Sequence, residues 1–187
     1  MRVVLAAMLV AALGGGCGRE PLPVLGTVPA FTLTERNGTP VGSEQLTGGI
    51  WVADFIFTRC PDVCPALSGR MSSLRKELAG SPPVTLVSIS VDPAHDTPEV
   101  LSSYAGRFSA GTGWLFLTGP RASIETLLRD GFKVAFADNG PPTSPITHSD
   151  RFVLVDPTMR VRGYYHGTDA ADVQRLLADV ATLRAEG

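Results

Sequence analysis

Residues 51–57 (WVADFIF) are mostly apolar and rich in strand formers, and residues 84–91 (VTLVSISV) read as a second central strand. A strand with one wet face alternates, so near-continuous apolar runs predict strands covered on both faces. Between them, Val63, Leu67, Met71, Leu74 and Leu78 recur at the three- and four-residue spacing of one helical face. Gly80 with Pro82 and Pro83 closes that helix. Thr97-Pro98-Glu99 reads as an N-cap followed by proline at the first helical position, opening a helix to about Phe108. Short strands follow at 114–117 and 132–136, with a helix over 121–129 between them. Strands at 151–155 and 160–165 flank the turn Asp156-Pro157, and a helix over 170–183 turns Val173, Leu176, Leu177 and Val180 inward. Near the start, Asn37-Gly38 between 31–34 and 40–41 signals a hairpin. Residues 138–149 (DNGPPTSPITHS) have no period and three prolines, which predicts a loop. The alternation predicts an α/β domain: a central mixed sheet flanked by helices, with an N-terminal hairpin.

The first twenty residues do not belong to that pattern. Arg2 precedes an apolar run over 3–13, and Gly14, Gly15 and Gly16 follow, which is the order of a secretory signal. The run is too short for a membrane span, which needs ~20 residues. Cys17 comes directly after the glycines, and the segment resembles a bacterial lipoprotein signal, in which the cysteine is acylated and becomes the first mature residue. Gly14 stands where that signal usually has leucine, so ordinary cleavage near this point is the alternative. The expected division is a signal peptide over 1–16, a lipid-anchor cysteine with a proline-rich tether (Pro21, Pro23, Pro29) over 17–30, and one domain over 31–187.

Composition narrows the function. A net charge of −2 over 187 residues gives no electrostatic case for nucleic acid. Three cysteines exclude a disulfide-dense scaffold, and the odd count gives one thiol a separate fate, which Cys17 satisfies. The other two, Cys60 and Cys64, follow the first central strand and open the first long helix. A spacing of four puts both sulfurs on one side of a helical turn. A helix N-terminus favours thiolate, and thiolate is both the redox nucleophile and the soft-metal ligand. Pro65 belongs in a first helical turn, which predicts a helix beginning near Cys64 and cysteines exposed at its mouth. His148, at the end of the proline-rich loop, is the third candidate: two sulfurs and one imidazole form a metal set with room for a fourth ligand. The residues leave open binding of a soft metal, zinc included, thiol-disulfide exchange and a structural disulfide.

FTRCPDVCP at 57–65 closely resembles the copper motif of the Sco/SenC proteins. SVDPAHDTPEVLSSYA at 90–105 and THSDRFVLVDP at 147–157 resemble two further blocks of that family, and the resemblance spans about residues 24–185. It implies a thioredoxin-like fold, copper as the metal, and Cys60, Cys64 and His148 as its ligands. It also implies a metallochaperone that helps assemble the copper site of cytochrome c oxidase. Its partners would be the copper-site subunit and an extracytoplasmic copper donor, met outside the cytoplasmic membrane. Reduction of the cysteines of that copper site is the alternative, and peroxide reduction is a weaker one. Asp92 matches the family's Val-Asp-Pro segment at the end of a strand, where a role behind the ligands or toward a partner is expected. His95 is expected to be exposed, His166 to be structural or exposed, and Trp51 and Trp114 to be core.

Overall fold

The computed structural model describes residues 21–61, 63–137 and 147–186. Eight strands form one sheet: β1 (Gly26–Thr27), β2 (Thr32–Glu35), β3 (Pro40–Gly42), β4 (Ile50–Ile56), β5 (Val84–Ser90), β6 (Trp114–Thr118), β9 (Arg151–Val155) and β10 (Arg160–His166). Two short strands, β7 (Phe136–Ala137) and β8 (Thr147–His148), pair with each other outside it. The large sheet runs β1-β10-β9-β4-β5-β6-β2-β3. Strands β4, β5 and β6 are parallel, and the outer strands join antiparallel. The two apolar runs are indeed the centre: every residue of β4 is buried. Asn37-Gly38 makes the hairpin turn, Gly38 taking the positive φ of 84° that the turn requires.

Helices α1 (Val63–Glu77) and α2 (Pro98–Arg107) cross over between successive parallel strands moving in one direction, so right-handed connections put both on the same face. Ser68 and Tyr104 hydroxyls meet at 2.8 Å between them. Helix α4 (Ala170–Glu186) joins this face through Tyr165 Oη, which donates to Asp179 at 2.7 Å, and Arg184, which donates to the Pro82 carbonyl at 3.0 Å. The opposite face carries α3 (Arg121–Thr126) and the wide turn 127–132 that continues it. Phe132 packs edge-on against Trp51 and Phe55 there, with centroids 5.8 and 5.1 Å away. The tryptophans are core, as expected.

Helix α2 begins as the sequence predicts, with Thr97 Oγ1 accepting from the Val100 amide at 3.4 Å and Pro98 at the first position. Thr97→Ala should lower stability by about 0.5–1 kcal/mol, read from the urea midpoint.

Two expectations are corrected. The strand expected over 132–136 is not formed: the helix runs on as a wide turn to Phe132, Lys133 takes the left-handed conformation (φ 52°), and only Phe136–Ala137 pairs. Phe132 and Val134 fill the core from a turn rather than a ladder. The tether also ends earlier than residue 30. Leu25 and Val28 amides donate to the Val161 and Met159 carbonyls at 2.8 Å each, and Gly26–Thr27 is an edge strand on β10. Buried Arg162 holds the segment from beneath, donating through Nη2 to the Leu22 carbonyl at 2.5 Å and through Nε to the Pro23 carbonyl at 3.1 Å. Its other nitrogen, Nη1, donates to Asp156 at 2.8 Å. Prolines 21, 23 and 29 keep the backbone extended, which suits an edge strand as well as a tether. Part of the loop over 138–149 is the strand β8, and residues 138–146 lie outside those described, as do 1–20.

Candidate functional site

The parallel strands β4 and β5 end at one rim of the sheet, and the loops that leave them carry Cys60 and Asp92. Strand β9 runs antiparallel to β4, with Ala53 opposite Val153, so its first residue lies at the same rim. The backbone of His148, on β8 opposite Phe136, therefore enters at the edge where the cysteine loop leaves. Topology thus brings the backbones of Cys60, Cys64, Asp92 and His148 to one end of the sheet.

Helix α1 starts at Val63, so Cys64 and Pro65 fall in its first turn, as Pro65 requires. The cysteines are separate thiols rather than a disulfide, and the Cys64 amide donates to Cys60 Sγ at 3.4 Å. Both are buried, Cys60 to 7% and Cys64 to 0% exposure, which corrects the expectation of thiols exposed at the helix mouth. The preference for thiolate is corrected at Cys64 as well. Burial pushes its thiol well above the usual range; a backbone hydrogen bond from Phe57 opposes this, while Cys60 and the charge of Asp54 add to it. Desolvation of an anion outweighs the helix terminus where no water reaches the sulfur. Asp62, between the cysteines, lies outside the described residues.

Asp92 is buried and does not present its carboxylate to a partner: Oδ2 accepts from Arg59 Nε at 3.1 Å and Nη2 at 2.5 Å. It thereby ties the residue before Cys60 to the neighbouring loop. His95 is exposed, as expected, and its amide donates to the Asp92 carbonyl at 3.0 Å.

Two carboxyl groups escaped the sequence reading. Asp96 is fully buried and accepts from the Thr58 hydroxyl and the Ser90 hydroxyl, each at 2.6 Å, and from the Thr58 amide at 3.1 Å. It locks the ends of β4 and β5 together beneath the cysteine loop, and burial raises its pKa despite those donors. Asp54 lies in the middle of β4. The Ser88 hydroxyl, which itself accepts from Trp114 Nε1 at 2.9 Å, donates to Asp54 Oδ1 at 2.5 Å. Oδ2 has no hydrogen-bond partner among the described residues. Burial raises this carboxyl to about 7, against the lowering by Ser88. A lone acid inside an otherwise apolar strand was the available signal.

Among the described residues, no group of three His, Cys, Asp or Glu is arranged to hold a metal, and no helix is long and apolar enough to cross a membrane. The side chains that meet are the two thiols, a soft donor pair.

A family model described as SCO1/SenC matches residues 22–185. Three solved structures are similar. A SCO1/SenC family lipoprotein from Bacillus anthracis is 31% identical, with a TM-score of 0.77 over 88% of this chain and 98% of that one. BsSco, described as a member of the Sco family of cytochrome c oxidase assembly proteins and as having a disulfide switch, is 32% identical, with a TM-score of 0.74 over 88% and 99%. ScoI of Bradyrhizobium japonicum, solved with copper bound, is 26% identical, with a TM-score of 0.68 over 80% and 98%. The thioredoxin-like fold is thereby borne out.

Proposed function

Because this chain belongs to the SCO1/SenC family, we propose that it carries copper to the copper-site subunit of cytochrome c oxidase. Cys60, Cys64 and His148 take up one copper ion from an extracytoplasmic donor. Residues 1–16 direct export and are removed, and lipid on Cys17 holds the protein at the outer face of the cytoplasmic membrane. The observation that carries this reading is the Cys60–Cys64 pair: two neighbouring thiols, buried at the sheet rim, with the amide of one donating to the sulfur of the other. Thiolates suit Cu(I) and imidazole suits Cu(II), so a set of two sulfurs and one nitrogen accommodates both. Copper displaces the thiol protons, so burial of Cys64 makes uptake a competition with protons, and affinity rises with pH. The copper bound in the related ScoI and the lipoprotein class of the Bacillus anthracis relative support the same reading.

Copper titration of the anaerobically reduced chain tests it, together with the visible charge-transfer spectrum after Cu(II) loading. One copper per chain is expected, lost in Cys60→Ser and Cys64→Ser and weakened at least tenfold in His148→Ala. A His148→Ala variant that binds and transfers copper as well as the parent would sink the three-ligand reading. Rapid thiol-disulfide exchange, with binding lost only in the cysteine variants, would assign the protein to reduction of the recipient's cysteines instead.

A further inference from the structure

On the sheet face that carries the wide turn, a surface groove of about 620 Å³ lies between the docked N-terminal segment and the start of β9. Leu25, Lys133, Val134, Arg151 and Tyr164 line it. Leu25, which lines it, and Val24, the residue before it, are the large apolar residues most exposed among those described, at 42% and 54%. The Arg151 guanidinium sits 5.9 Å from the centroid of the half-buried Tyr164 ring, whose hydroxyl donates to the Phe132 carbonyl at 2.9 Å. The Lys133 stem runs along β1, with Cε 3.5 Å from where a Cβ on Gly26 would stand. Neither Lys133 nor Arg151 forms an ion pair with a described carboxylate, and nearby Asp130 and Asp150 are engaged by Arg129 and His166. The groove therefore joins two exposed cations without a close ion pair, Lys133 acting only at a distance on Asp130, with an aromatic ring that has a polar tip and an exposed apolar pair. Side chains of those kinds partition together at a bilayer interface.

We propose that this face docks on the anionic surface of the membrane that carries the protein. The proposal rests on the lipid anchor at Cys17 and goes beyond it, because an anchor alone leaves the domain free to tumble. The chain is clamped to the domain at Leu22, five residues after Cys17. Five residues reach at most about 18 Å. Val24 and Leu25 follow the clamp directly, so the exposed apolar pair lies where the anchor delivers the domain to the lipid. Docking there sets the copper rim beside the bilayer, since Ser149 and Arg151 at the groove follow His148 on the chain.

The test uses the full chain in vesicles with brominated acyl chains, made either of phosphatidylcholine alone or with about one third phosphatidylglycerol. Trp51 and Trp114 are buried, so an indole introduced by Val24→Trp reports contact with lipid. We expect its emission to be quenched several-fold more in the anionic vesicles. Adding Lys133→Glu and Arg151→Glu should abolish the difference while the protein still floats with the vesicles. Each cation near an anionic surface strengthens the contact about fivefold. An unquenched indole on a floating protein would overturn the docking face alone. A protein that does not float would overturn the anchor, and the proposal with it. An unquenched indole combined with binding of a hexaglutamate peptide, lost on the same two charge reversals, would give the groove to an acidic protein segment and overturn the membrane assignment.

Discussion

Arg162→Ala should lower the unfolding free energy by about 3 kcal/mol, the lower end of the cost of removing one partner of a buried ion pair. Arg162 and Asp156 are both buried, and the guanidinium serves Asp156 and two backbone carbonyls at once. The loss stays near the lower end because Asp156 keeps Arg160 Nε at 2.8 Å and the Thr158 amide and hydroxyl at 2.8 Å each. Urea unfolding gives the energy. Hydrogen exchange should show the Leu25 and Val28 amides losing protection first, because the clamp next to them is gone. Arg162→Lys should recover only part, since an ammonium cannot reach three acceptors in a plane. The effect has a pH window. Burial raises the Asp156 carboxyl, but backbone and side-chain donors at Arg160, Thr158 and Arg162 outweigh it and bring it from 3.8 to about 2. A carboxyl lowered by folding stabilises fully above its unfolded value, and that contribution disappears as pH falls through the folded one. The gap between parent and variant should therefore shrink between about pH 4 and pH 2. A constant gap across that range would show that the ion pair contributes nothing.

Asp54 should act in the opposite sense. Its carboxyl rises from 3.8 to about 7 on folding, because burial disfavours the anion. The folded state then holds a proton that the unfolded state releases, so stability is full below about pH 4 and is lost as pH rises toward 7. Each pH unit in that window is worth about 1.4 kcal/mol, so the total is on the order of 4 kcal/mol. Asp54→Asn keeps an oxygen for the Ser88 hydroxyl and cannot ionise. The urea midpoint should fall from pH 5 to pH 8 for the parent and stay nearly level for Asp54→Asn, leaving the variant more stable by about 2–4 kcal/mol at pH 8. Parallel pH profiles for the two proteins would mean that Asp54 is ionised in the fold.

The sequence showed the parts of this molecule that local chemistry decides. The strands over 51–57 and 84–91 were legible because both are rich in apolar and β-branched residues, and α1 and α2 because period and cap agree. The Cys60–Cys64 spacing announced the site, and Pro65 fixed where its helix begins. The misreadings were matters of tertiary competition. Phe132, Val134 and Phe136 carry the side chains of a strand, yet the core takes Phe132 from a turn against Trp51 and Phe55. The tether boundary failed because the hold on Leu22 and Pro23 comes from an arginine some 140 positions later, acting on carbonyls that every residue has. The thiol chemistry of Cys64 failed because helix position is written in the sequence and desolvation is not. Asp92 was found by position, but its engagement with Arg59 belongs to the packing of two loops.

The docked N-terminal segment also bears on self-association. The sheet ends on β1, two residues long, and on β3, three residues long with Pro40 in it. Short strands and a proline offer few amides to a second molecule. Strand β10, by contrast, is seven residues long, and β1 together with the bond from the Leu25 amide covers its first part. A chain whose first residues are cut away or unclamped would expose a run of unpaired backbone beside the apolar core. Molecules brought close together would then have an edge on which to add strands to one another. Residues 22–28 thus guard against aggregation as well as completing the edge of the sheet.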